Sequence, residues 1–394
     1  KESLLPVTQF IDLKGDRLGN SKLSVHLYGW GRFDLADKSY DDKPIGGSLT
    51  YGYFQYTPGQ ANSYVRAGRL FVREGILNEQ VDGISARTDL PGGYSVSAFG
   101  GAPVRTVNLS GENSDGKGNS LYGGRVSYRY KGLLEVGLSG IREGDAPQLT
   151  NHTVGSYRRV GGDLWYTPMY GIDIIGHSSY NTETKEFAEH SYLLNIKKNQ
   201  KLVLTGEFNV YHEQSLLASS AMFSSMLIAG ANNQSSTVGL SASYEINKTL
   251  DLSADYKHYS RDVGSADRLG GNAKVHFKDN LINGGFGYHY LNAGQGFAIG
   301  ANPSASYHEL RCYLMSDSTS YFYAVDLLGD FFTDSIYNQK AAWETNVSLG
   351  YHFTPVLALS GDLSYGHNPQ FTEEARALLR LTYNTTFSGT GGKK

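Results

Sequence analysis

One cysteine in 394 residues leaves no disulfide framework and no cysteine-rich metal site. No run of eighteen apolar residues occurs, so no helix of this chain is built to span a bilayer. No charged segment followed by an apolar one opens the sequence, so no secretory leader is expected within it. The net charge is only -3, which argues against a nucleic acid or other polyanion as partner. Metalloprotease, haem-attachment, phosphate-loop and nucleophile-elbow patterns are all missing. No strand collects Ser, His and an acid, so an enzyme is not expected, nor a cofactor bound by this chain. Proline, at 10, and methionine, at 4, are also scarce.

What is abundant is glycine, at 48, and tyrosine, at 29, with a mean hydropathy of -0.37. Alternation pervades the chain. In "LDLSADYKHYS" the residues Leu250, Leu252, Ala254 and Tyr256 share one parity, and Asp251, Ser253, Asp255 and Lys257 the other. "KLVLTGEFNVYHE" opposes Leu202, Leu204, Phe208 and Val210 to Lys201, Thr205, Glu207 and Asn209. "AWETNVSLGYHF" and "PVLALSGDLSYGH" do the same. A period of two is a strand with one apolar and one polar face. These strands are about ten residues long, the length that crosses a bilayer at a tilt, with tyrosines near their ends. A soluble sandwich of this size would need far more Val, Ile and Leu.

Short Gly-, Pro- and Asn-bearing connections, such as 90–93, 130–133, 167–171 and 247–250, alternate with longer ones, such as 36–46, 73–80, 102–119 and 214–235. The expected fold is all-β: a transmembrane antiparallel up-and-down barrel with short periplasmic turns and longer extracellular loops. Parity of the turns requires "GISARTDL", 83–90, to be a strand. The count becomes about 20, an even number with both termini on the short-turn side. Residues 1–20 are expected to precede the barrel as a periplasmic or lumenal segment, 21–387 to form it, and 388–394 to be a tail.

On these strands and turns the chain resembles bacterial outer-membrane β-barrel porins over residues 21–387. Its final strand "ALLRLTYNTTF" ends on Phe387, similar to the aromatic-ended last strand of such barrels, although the tail "SGTGGKK" departs from a terminal aromatic. The resemblance implies a Gram-negative outer membrane and its lipid as surroundings.

The polar parity should line the lumen, and it includes Arg32, Arg87, Arg125, Arg129, Arg159, Glu207, Asp255, Lys257, Arg311, Glu344, Arg376 and Arg380. Both signs interleave, which suits a self-compensated wall better than a ladder selecting one charge. The loop fragment "GENSDGKGN", 111–119, has spaced oxygen donors, but its few acids fit a solvated loop better than a calcium site. Cys312 shares the parity of Leu310 and Leu314 and should face lipid.

Twenty strands close at a backbone diameter of ~40 Å, wide enough to need a filling. Loop 214–235 is unusually apolar, with Leu216, Leu217, Met222, Phe223, Met226, Leu227 and Ile228 marking either a partner contact or an infolded constriction. Two functions follow. One is a porin-like sheath around multihaem c-type cytochromes in a trans-outer-membrane electron conduit, resembling porin–cytochrome complexes, with haem c carried by the partners. The alternative is a diffusion or substrate-uptake porin whose loops narrow an aqueous channel.

Overall fold

A computed structural model describes residues 5–18, 21–35, 45–59, 62–104, 119–146, 155–212, 234–261, 264–278, 281–293, 298–299, 302–303, 306–336, 339–368 and 373–385. Loop residues 216–228, the fragment 111–118 and the tail 388–394 lie outside them.

Twenty-one strands form one sheet among the described residues. They are β1 (Pro6–Gly15), β2 (Leu23–Asp34), β3 (Ile45–Tyr56), β4 (Tyr64–Glu74), β5 (Leu77–Asp89), β6 (Tyr94–Pro103) and β7 (Ser120–Tyr130). Next come β8 (Leu134–Ala146), β9 (Gly155–Met169), β10 (Ile172–Asn181), β11 (Glu186–Lys197), β12 (Leu202–His212), β13 (Gln234–Asn247) and β14 (Leu250–Arg261). The last seven are β15 (Gly264–Phe277), β16 (Ile282–Ala293), β17 (Tyr307–Asp317), β18 (Tyr321–Ile336), β19 (Gln339–Thr354), β20 (Leu357–His367) and β21 (Glu374–Tyr383). Each pairs antiparallel with the next, an up-and-down order from β1 to β21.

The pleat separates the two faces as the alternation requires. Leu138 is 74% exposed, Leu240 62% and Leu379 75%, with Leu269, Leu349 and Leu363 on the same outward face. Such a surface is stable only against hydrocarbon, and strands of ten or more residues span its thickness. The other face carries the ion pairs described below and is the lumenal one.

Three expectations need correction. Residues 6–15 are not a segment ahead of the sheet; they form β1, paired with β2 from Pro6↔Asp34 to Gly15↔Val25. Adjacent Phe10 and Ile11 place apolar side chains on both faces there, which hides the alternation. Among the described residues the sheet has 21 strands where an even number was expected, and β1 begins at the long-loop end, where the Leu35 amide donates to the Leu5 carbonyl at 2.9 Å. Finally, 73–80 is no loop: β4 and β5 continue to Glu74↔Leu77, joined by Gly75 and Ile76 alone.

Candidate functional site

The β4–β5 hairpin leaves the wall. β3 pairs with β4 only from Gly52↔Arg69 to Tyr56↔Val65, and β6 pairs with β5 only from Val81↔Pro103 onward. Between these limits, among the described residues, the ladder of 70–79 runs only between the two arms of the hairpin, and the Gln80 carbonyl accepts from the Val104 amide at 2.9 Å. The departure begins at Gly68, whose φ of 132° suits glycine and where a Cβ would overlap the Gly52 carbonyl. The turn itself has Gly75 at φ 61° in its first central position, the arrangement of a tight two-residue hairpin.

Folding away takes the hairpin across the lumenal wall. Leu70, Val72, Ile76, Leu77 and Val81 form one buried cluster with Phe99 on β6, Leu121 on β7, Ile141 on β8 and Tyr157 on β9. Each fully buried side chain contributes about 1.5–3 kcal/mol, so the hairpin is fixed to the wall rather than hanging in the water. Glu74, at its end, accepts hydrogen bonds from Tyr64 Oη at 3.1 Å, from Arg87 Nη1 at 3.2 Å and from Ser97 Oγ. Gly75 lies over Asp163, Ser139 and Arg125: a Cβ on it would come within 2.5 Å of both Asp163 Oδ2 and Ser139 Oγ.

Beneath the tip the wall is a charge network. Arg125, 7% exposed, donates to Asp163 through Nε at 2.9 Å and Nη2 at 2.6 Å, and to Glu135 at 3.0 Å. Arg129 binds the other oxygen of Glu135 through Nε at 2.9 Å and Nη2 at 2.6 Å. Arg159 is buried against Glu189 at 2.5 Å and Ser179 at 2.7 Å, with His177 Nε2 3.2 Å from the same carboxylate. The opposite face of the hairpin points into the lumen. It presents Arg69 paired to Asp82 at 2.7 Å, then Phe71 with the Arg73 guanidinium 5.1 Å over its ring.

Farther round, Glu207 meets Lys257 at 2.6 Å, Asp255 meets Arg268 at 3.1 Å, and Arg311 meets Asp326 at 2.7 Å. Glu344 accepts from Ser364 at 2.6 Å, and Arg376 pairs with Glu374 at 2.7 Å. Arg32 and Arg380 share this face by register, opposite Thr8 and Ser360. The lumenal parity thus places all twelve expected residues on one face. Nine of them, Arg87, Arg125, Arg129, Arg159, Glu207, Asp255, Lys257, Arg311 and Arg376, each meet an opposite charge, and Arg87, Arg125, Arg129 and Arg159 gather near the hairpin. Cys312, paired with Phe286 and Leu327, is exposed on the outward face.

Sequence reasoning missed the hairpin, with Glu74 and Leu77. Its signal was present: "RLFVREGILNEQV" alternates on both sides of Gly75.

No family model and no curated protein matches the chain. Solved structures do. A mutant of the ferric enterobactin receptor PfeA from Pseudomonas aeruginosa aligns over 91% of this chain and 72% of its own, at 10% identity and a TM-score of 0.56. The fold is that of a transmembrane β-barrel. Acinetobacter baumannii OccAB1 aligns over 93% of this chain and 91% of its own, with 10% identity and a TM-score of 0.47. Pseudomonas aeruginosa OccK5 aligns over 96% of each chain, with 11% identity and a TM-score of 0.45.

Proposed function

We propose that this barrel is a water-filled channel of the bacterial outer membrane, an uptake or diffusion porin for small hydrophilic solutes, narrowed by the β4–β5 hairpin. The observation that carries the reading is the buried cluster from Leu70 to Val81 on Phe99, Leu121, Ile141 and Tyr157, which fixes a stretch of backbone inside the lumen. A constriction works only when it stays in place against thermal motion, and packing of this kind holds it. The compensated charges of the wall fit weak charge selectivity.

The cytochrome sheath has less support. Loop residues 216–228, on which a partner contact was expected, are not described, and the hairpin takes up lumenal space that a threaded partner would use.

Planar-bilayer recording tests the channel. The full chain should conduct in discrete steps, and replacing residues 71–79 with an Asn-Gly turn should raise the unit conductance. A silent full chain, or equal conductance in both forms, overturns the reading.

A further inference from the structure

Across β1 to β3, the lumenal face of the wall adds a run of aromatic rings to its charged groups Asp12, Lys14 and Arg32. Register puts Phe10 beside Trp30, and Tyr28 bridges Asp12 and Tyr51. One step on, His26 lies between Lys14 and Tyr53. The Trp30 ring lies over Gly46, where a Cβ would be 3.9 Å from its outer edge. Ring centroids are 5.6 Å apart for Tyr28–Tyr51, 6.2 Å for Tyr51–Tyr53 and 5.1 Å for His26–Tyr53. At the foot, the Arg66 guanidinium sits 5.3 Å from the Tyr53 ring centre and 4.1 Å from that of Tyr64. Successive rows are two residues apart along the strands, about 7 Å. The rings therefore form a column along the pore axis, beside the place where the hairpin leaves the wall at Gly68.

We infer that this column is a binding track for a neutral carbohydrate chain, an assignment that rests on the channel reading and names its solute class. A sugar ring has an apolar C–H face and a polar rim. Aromatic side chains offer the matching flat apolar surface, and tyrosine adds a hydroxyl at its edge. The groups flanking the column complete the match. Asp12 and Lys14 neutralise each other at 3.7 Å, and Arg66 donates to Gln55 Oε1 at 2.8 Å. Donors and acceptors thus flank the rings, with Asp12 and Lys14 offsetting each other and Arg66 adding one positive charge beside Tyr53 and Tyr64. The apolar ring faces along the column suit a neutral ring better than an ion. Repetition along the axis suits a chain of rings better than a single one, because a ring leaving one row meets the next.

Trp30 supplies the test. The sequence has three tryptophans, so the W165F/W343F variant of the full chain leaves Trp30 as the sole indole reporter. Maltohexaose, a linear uncharged glucose oligomer, should change its fluorescence saturably in detergent. Tyr51→Ala should weaken that response at least tenfold, and Tyr51→Phe should largely keep it, since the ring face does the stacking. Polyethylene glycol of similar size should have no effect. No saturable change with the hexaose, an equal change with the glycol, or a response to free phenylalanine instead would overturn the assignment. This readout needs no ion flow, so its failure is separate from failure of the channel reading, which the bilayer recordings decide.

Discussion

Arg125 reaches Asp163 two strands away, from β7 to β9, by crossing β8 at Gly137. A Cβ on Gly137 would collide with Asp163 Oδ2 and lie 2.6 Å from Arg125 Nε. The same device recurs where Glu207 reaches Lys257 across Gly239 and where Asp255 reaches His289 across Gly270. Glycine on the lumenal face thus acts as a saddle, letting short carboxylates pair beyond their nearest neighbour. At these three positions it gives a reason for glycine inside a strand, where glycine otherwise weakens the backbone.

The pair under the hairpin tip gives the first prediction. Asp163→Ala leaves the buried Arg125 with Glu135 alone. A buried polar group that loses a partner costs about 1–3 kcal/mol, so the unfolding midpoint in urea should fall accordingly. Gly137→Val should do similar damage without removing either charge, by forcing the two side chains apart. Wild-type stability in Gly137→Val would show that the saddle is not needed.

At the exposed saddle the effect should be small. Lys257 and Glu207 are 30% and 24% exposed, so their ion pair is worth about 0–1 kcal/mol. Gly239→Ala should displace Glu207 with little loss of stability. Bilayer reversal potentials should shift only modestly, because neighbouring pairs keep the wall balanced. A large change in cation preference would mean that this pair, rather than the hairpin, governs permeation.

Packing of the hairpin can be weakened from within. Leu77 is 2% exposed in the buried cluster. Leu77→Ala should cost about 2–5 kcal/mol at most, paid locally as loosening of the hairpin from Phe99 and Leu121. The expected readout is noisier open-channel current and faster protease cutting near residue 75, with the rest of the barrel intact.

The outward face was legible residue by residue. Leu252 and Leu240 are exposed apolar groups on it, while Asp255 faces the lumen beside Arg268. Leu252→Arg should destabilise the barrel by about 2–4 kcal/mol if the position lies near the bilayer midplane. Water-soluble maleimide should label a cysteine at 255 far faster than one at 252 in membranes. Equal rates would reverse the two faces.

Alternation carried that much because facing is a local property, repeated every two residues. The hairpin was hidden for the opposite reason. Leu70, Val72, Ile76 and Leu77 look like strand-end residues, and only their packing on Phe99, Leu121, Ile141 and Tyr157 makes them a constriction. Those four partners lie between 22 and 87 residues away, and nothing in "RLFVREGIL" states which surface it will meet. The tyrosine column was likewise counted but not placed, because Tyr28, Tyr51 and Tyr53 come together through the β2–β3 register.

β1 gives the last prediction. It runs in the same direction as β21, since twenty antiparallel ladders separate them, and no ladder joins the two among the described residues. β2 to β21 alone are twenty strands, whose ends run antiparallel and have the geometry of an even barrel. Including β1 would demand a parallel seam, in which Pro6 sits at the long-loop end with Asp34. Position discriminates what strand counting cannot. A cysteine at Leu5 should be labelled from outside intact cells, and one at Gly15 only after the periplasm is opened. Pairs of cysteines between Gln9 and facing positions on β21 should cross-link if the seam is parallel. If instead β2 cross-links to β21 while the Leu5 cysteine is labelled only from the periplasm, β1 leaves the wall and the even barrel is correct.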